Sequence, residues 1–477
     1  MRNLDFSHVE WGPDEAKGDK NLPNYFFEFE EYPLIKEGDY RYVIGRKGTG
    51  KTAVLEKLKS DCELDPLSFF SSLSLRNFPL TLIRDLRDKS FQDKSQFVPV
   101  WTFLILVEIA KLVVKDHGAE PELEVEELKY FLLENFGSGD FTIIDTIQTL
   151  KTNKAKMKVK TGVLDSGYDQ EETQSVSKEI HYQKLVTFLE SRLKSINSNS
   201  KFLITFDELD EGYSAKDKNL RLLLLSLLRA IEDTYLSLVE SGVNFRPVVA
   251  LRSDIFDSLE DNDLNKLDDY LIRLNWSTSE TSTFSLYKLV NKRINASFSD
   301  ELVTWSRLVH DNDTQLPNGV DSVWKYVVNR TFERPRDIIK FLKLCGKECK
   351  VGPLTFENVR TAEVKYSTWF YNEFRDEIQS HLPVWRESVQ TLSKVGRGAF
   401  KKETYAELLL KNRAIQTYLE SEHRHVDDII ETLFNFSLIG NQTKDRRWLF
   451  KYKDHDLEWD EDMKLLIHFG VTKKLRL

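Results

Sequence analysis

The spacing of apolar and polar positions switches between two periods along the chain, and each switch marks an element. "DYRYVIG" is a short β-rich run ending at a glycine, and "KTAVLEKLKSD" after it has helical spacing. "PLSFFSSLSLRNFPL" reads as a second strand and loop, followed by helical patterns near 99–115 and 121–136. In "KFLITFDELDEGY", five of the six residues before Asp207 are apolar or β-branched, as expected of a strand buried on both faces. The helical "NLRLLLLSLLRAIEDTYLSLVESG" comes next, then two more strands, "FRPVVALRSD" and "DYLIRLNWS". Strands alternating with helices predict an α/β fold, a parallel sheet sandwiched by helices. Residues 137–182 break the pattern. They are polar and irregular apart from the alternating "KMKVKTGVL", and read as an insertion with a mobile hairpin.

Beyond about residue 280 the strand signals stop. Residues 281–380 look helical, including "SVWKYVVNR" and "PRDIIKFLKLCGK". From 384 onward, "WRESVQTLSKV", "KKETYAELLLKN" and "VDDIIETLFNFSLI" give three amphipathic helices, and "SLIGNQTKDRRWLFKYK" looks like a hairpin. Three helices and a hairpin resemble a winged helix. The predicted division is therefore a core at 1–280, a helical lid at 281–380 and a winged-helix-like domain at 384–477.

A chain of 477 residues has room for two or three such domains. With a formal net charge of −9 it has no global basic field to attract nucleic acid, though a local basic surface is compatible with that value. Three cysteines make no disulfide framework and suit a reducing compartment. The first residues lack a secretory pattern. The most apolar stretch, "WTFLILVEIAKLVV", carries Glu108 and Lys111 and is too short to span a bilayer. The expectation is a cytoplasmic protein with no membrane partner.

The candidate chemistry sits where the first strand meets its helix. "GRKGTGKT" fits G-x-x-x-x-G-K-[ST] in full. Glycines at 45, 48 and 50 let main-chain N–H groups converge on phosphate oxygens, and the following helix adds its N-terminal dipole. The nucleotide-binding set is Gly45, Arg46, Lys47, Gly48, Thr49, Gly50, Lys51, Thr52 and Ala53. Lys51 can reach the β- and γ-phosphates, and the Thr52 hydroxyl can coordinate Mg²⁺. Directly after the apolar strand, Asp207 can hold the metal's hydration shell and Glu208 can act as general base on the attacking water.

"GRKGTGKT" with "FLITFDELD" resembles the P-loop ATPases that carry a catalytic Glu beside the Walker B Asp, the AAA+/STAND branch. Together with "ALRSDIFDSL" and "RPRDIIKF", these motifs resemble a bacterial group of stand-alone P-loop ATPases, over roughly residues 10–345. The resemblance implies ATP with Mg²⁺, a helical lid and a winged helix as in the origin-recognition ATPases. It also implies a setting in defence against phage or plasmids. It places a polar sensor at Arg252 or Ser253, and a catalytic arginine that reports nucleotide to the lid at Arg336, with Arg334 as fallback. Lys266 and Arg273 are candidates for fingers across a subunit interface.

Two look-alikes fail on context. "NKLD" at 265–268 precedes a strand where a guanine-reading motif would follow one, and a D-x-x-G is missing. "DELD" would need a second RecA-like domain to mark a helicase, and helices stand there instead. The C-terminal segment stays open. Lys444, Arg446, Arg447, Lys451 and Lys453 would give a wing a positive edge for DNA, whereas "HVDDIIETLFNFS" is acidic and suits a protein-protein or lid-packing module. The expected function is an ATP-hydrolysing switch that controls a homo-oligomer or a separate effector protein. The alternative is an origin-recognition-like ATPase acting on DNA.

Overall fold

Five strands form one parallel sheet: β1 (Tyr42–Gly45), β2 (Ser68–Ser74), β3 (Lys201–Asp207), β4 (Phe245–Arg252) and β5 (Leu271–Arg273), in the order β2-β3-β4-β1-β5. This computed structural model describes residues 4–74, 83, 86, 95–137, 141–152, 182–209, 218–259, 264–298, 301–396 and 398–477. It divides into two units, Glu28–Leu274 and Met1–Phe27 with Asn275–Leu477. The sheet belongs to the first, so the predicted α/β class with a parallel sheet is what the chain forms.

Among the described residues, the helices of that unit include α1 (Lys51–Glu63), α2 (Val98–Val113), α3 (Glu122–Phe136), α4 (Ile143–Thr152), α5 (Tyr182–Lys194), α6 (Lys218–Val239) and α7 (Ser253–Ser258), besides a short helix at Tyr32–Glu37. Residues on β3 alternate between two faces. Phe202, Ile204 and Phe206 share a core with Trp101, Leu104 and Ile105 of α2 and Leu224 and Leu227 of α6. Leu203 lies with Leu58 of α1. Burial on both sides explains why β3 reads as a continuous apolar run. At the start of β1, the Arg41 guanidinium binds Glu232 of α6 through two bonds of 3.0 and 2.9 Å and lies between the rings of Tyr235 and Tyr270. That pairing holds the strand bearing the glycine loop against α6. Within the expected insertion, residues 143–152 form α4, because Ile147 and Leu150 find cover in the core. The alternating "KMKVKTGVL" lies outside the described residues.

The second unit contains α8 (Leu286–Ala296), α9 (Trp305–Leu308), α10 (Val323–Val328), α11 (Pro335–Glu348) and α12 (Phe356–Ile378). The last two are joined by stacked rings, Phe341 on Tyr366 at 4.2 Å. Residues 4–27 belong to this unit, because Phe6, Val9 and Trp11 bury themselves against these helices. Arg293 of α8 donates to the Trp11 carbonyl and covers the Tyr25 ring at 4.0 Å. After them come α13 (Trp385–Leu392), α14 (Lys402–Leu410), α15 (Arg413–Glu422) and α16 (Val426–Asn435). The hydrophobic pattern predicts three helices here. The added one is α15, started by Asn412, whose side chain accepts from the Ala414 and Ile415 amides. Strands β6 (Ile439–Gln442), β7 (Trp448–Leu449) and β8 (Lys464–Ile467) make an antiparallel sheet in the order β7-β6-β8. The predicted hairpin is β6–β7, but it stops at Leu449, and β8 covers the other edge of β6. Among the described residues, no helix is long and apolar enough to cross a membrane.

Candidate nucleotide site

The glycine loop connects β1 to α1 at the carboxyl edge of the sheet. Gly48 and Gly50 have φ of 84° and 97°, in the left-handed region that a side chain resists. A Cβ on Gly45 would collide with the Thr49 hydroxyl, so the loop closes on itself only with glycine there. Thr49 is buried, and its hydroxyl donates to the Arg46 carbonyl at 2.8 Å. The Lys51 ammonium folds back onto the carbonyls of Gly45 and Arg46, at 2.9 and 3.1 Å. Arg46, Lys47, Gly48 and Gly50 through Ala53 are half-buried around this turn.

Asp207 ends β3, and β4 stands between β3 and the loop-bearing β1. The Thr52 hydroxyl and the Lys51 ammonium are nonetheless close enough to the Asp207 carboxylate for both to favour its charged form. Burial raises the Asp207 pKa above the usual carboxylate value. The Glu208 amide (2.8 Å), Thr52 and Lys51 oppose that shift without cancelling it. Glu208 itself is held with φ of 58°, a left-handed conformation for a residue with a side chain. Its carboxylate accepts a hydrogen bond from Ser74, which ends β2 in register with Asp207. Sequence reading missed Ser74. It is one of four serines in β2, so nothing local sets it apart, and the register that brings it to Glu208 is not written in the chain.

The remaining predicted residues fall in two places. Arg252 ends β4 in register with Gly45, and its guanidinium is held by Asp254 through bonds of 2.9 and 2.6 Å. Ser253 beside it is buried. Arg273 pairs with Asp257 at 3.0 Å. Arg336 belongs to the other unit, in the first turn of α11, where it pairs with Glu373 of α12 at 3.3 Å. Arg334 is fully buried between Asp337 and Glu377, so its charge serves the packing of that unit.

Residues 285–375 match the family described as "FunZ-associated C-terminal helical domain", which spans α8 to α12. The chain is 23% identical, over 98% of its own length and 67% of the other's, to the putative transposon gamma-delta 80.3 kDa protein of Escherichia coli K12. Among solved structures it is similar to Cdc6p from Pyrobaculum aerophilum, at 11% identity and a TM-score of 0.33, covering 99% of this chain and 98% of that one. It is also similar to the ORC2 protein of Aeropyrum pernix in ADPNP–ADP complexes, at 10% identity and a TM-score of 0.40, covering 93% and 95%. Neither structural likeness is close enough to bear on what this chain does.

Proposed function

We propose that this chain binds and hydrolyses ATP as a molecular switch. The observation that carries the reading is the nearness of Thr52 and Lys51 to the buried Asp207 carboxylate, which brings the acidic strand end to the glycine loop although β4 stands between their strands. The amides from Gly45 to Ala53 receive phosphate oxygens, and Lys51 exchanges its two carbonyl partners for the β- and γ-phosphates. The Thr52 hydroxyl and the Asp207 carboxylate are hard oxygen donors of the kind that would hold Mg²⁺. The metal, when bound, neutralises phosphate charge. Glu208 accepts a proton from water as its oxygen attacks the γ-phosphorus. The bond to the bridging oxygen breaks, leaving ADP and phosphate. Arg252 or Ser253 serves as the sensor at the end of β4, and Arg336 as the arginine of the helical region.

Control of an oligomer or a separate effector in bacterial defence follows from the family resemblance and is proposed on that ground. A second reading, an ATPase acting on DNA, has one observation in its favour: Arg446, Arg447 and Trp448 are exposed together at the β6–β7 turn. It predicts a salt-dependent affinity lost on reversing both arginine charges.

Phosphate release from wild type, Lys51→Ala and Glu208→Gln tests the main reading. Lys51→Ala should lose nucleotide binding. Glu208→Gln should bind ATP and turn it over roughly 100-fold more slowly. Equal release from all three would overturn it.

A further inference from the structure

A cavity of about 230 Å³ opens between the turn after α12 and the helices α15 and α16. Part of its wall is apolar. Leu382 and Ile429 are buried there, and the Phe436 ring lies 4.9 Å from that of His381. Two opposite charges also line it, the Arg424 guanidinium and the Asp428 carboxylate.

The local sequence accounts for where these charges stand. His423 closes α15 in the left-handed conformation, with φ of 51°, and the Arg424 amide returns to the Leu419 carbonyl at 2.9 Å. Arg424 therefore leads into α16. Asp428, in the first turn of α16, accepts from the His425 amide at 2.8 Å, which leaves its carboxylate room for further donors. Both charges reach one hydroxyl, that of Tyr418. Burial raises the Tyr418 pKa, Arg424 opposes that rise, and Glu422 and Asp428 add to it. Yet among the described residues the Arg424 side chain forms no hydrogen bond or salt bridge, with Asp428 or with any other group. The Tyr418 hydroxyl and the Asn435 amide, on the same cavity, have no hydrogen-bond partner there either. Arg424 and Asn435 are exposed and Tyr418 and Asp428 half-buried, so a ligand can reach all four.

The paired charges select what fits. A simple anion is repelled by Asp428, and a simple cation by Arg424. A molecule with a carboxylate and an ammonium on the same carbon escapes both penalties. The guanidinium fork matches both carboxylate oxygens, and a carboxylate is the natural acceptor for the ammonium. The apolar wall then covers whatever else that carbon carries.

We propose that this cavity binds a free α-amino acid with an apolar side chain, its carboxylate on Arg424, its ammonium on Asp428 and its side chain against Leu382, Ile429 and Phe436. The site is independent of the nucleotide reading. Equilibrium dialysis of the full chain against radiolabelled L-phenylalanine should show saturable binding. Hydrocinnamate, which lacks the ammonium, and phenethylamine, which lacks the carboxylate, should each compete about tenfold less well than unlabelled L-phenylalanine. Arg424→Gln changes an exposed side chain, so it should leave the unfolding midpoint in place while weakening L-phenylalanine about tenfold. Asp428→Asn keeps an acceptor for the His425 amide, and should bind labelled hydrocinnamate as well as it binds L-phenylalanine. Absence of saturable binding, equal competition by hydrocinnamate in the wild type, or unchanged L-phenylalanine binding in Arg424→Gln would overturn the proposal.

Discussion

The Ser74 hydroxyl donates a hydrogen bond to the Glu208 carboxylate, joining the ends of two neighbouring strands. Glu208 is the proposed base, and its left-handed backbone aims it into a small region of space. Ser74 fixes where its carboxylate points, as a positioning residue. Ser74→Ala should therefore lower kcat about tenfold with little change in KM for ATP, because freedom in a base is lost rate while phosphate binding is untouched. Ser74→Thr, which keeps the hydroxyl, should restore most of it. A faster Ser74→Ala enzyme would mean that the bond parks Glu208 away from water.

Asp207 gives a prediction of opposite sign for stability and function. Burial raises its pKa, so the folded chain holds this proton more tightly than the unfolded chain does. Its stabilising effect is present below the unfolded pKa and is lost as pH rises through the folded value. At neutral pH the bare carboxylate is thus a burden to the nucleotide-free fold. Asp207→Asn should raise the unfolding midpoint at pH 7, with a smaller gain near pH 4. The same variant should lose the extra stabilisation that Mg²⁺ adds to ATP. A lower midpoint for Asp207→Asn at pH 7 would contradict the assignment.

These contrasts show which features the chain advertises. "GRKGTGKT" and "FLITFDE" are legible because a tight glycine turn and a doubly buried strand are local demands on residue type. The placement of β4 between β1 and β3, and the register that sets Ser74 beside Asp207, depend on long-range pairing and leave no local mark. The same holds for Phe6 and Trp11, whose aromatic character signals burial but not in which unit. At α15 only Ile415 and Leu419 are buried, and a stripe of two residues gives the hydrophobic pattern little to register.

The buried arginine of the helical unit should be intolerant of change. Arg334 donates to Glu377 at 2.6 Å and to Asp337 at 3.0 Å, all three side chains being almost fully enclosed. Removing the cation leaves two carboxylates facing each other without water. Arg334→Met should cost about 3–5 kcal/mol in denaturant unfolding, the usual range for breaking a buried pair. Arg336→Met, which loses a partly exposed contact with Glu373, should cost below about 1 kcal/mol. Comparable losses in the two variants would show that Arg334 is not the structural one.

His468 supplies the pH dependence of the same unit. It is 1% exposed, packed among the rings of Phe332, Phe370, Phe450 and Tyr452, and its Nδ1 accepts from the Gly470 amide at 3.1 Å. Burial, with the nearby charges of Lys453, Arg330 and Arg334, lowers its pKa from 6.5 to about 3. The unfolded chain therefore takes up a proton near pH 6.5 that the folded chain refuses. Stability from the neutral ring is complete above that pH and is lost as pH falls from 6.5 toward 3. The slope contributed by this one residue reaches about 1.4 kcal/mol per pH unit. His468→Phe keeps a ring against Phe370, which stacks on His468 at 5.3 Å and 12°, but gives up the Gly470 bond and the titration. It should start less stable at pH 7.5 and lose less on going to pH 5 than wild type does. Urea midpoints of both proteins at the two pH values decide the matter, and parallel losses would remove His468 as the source.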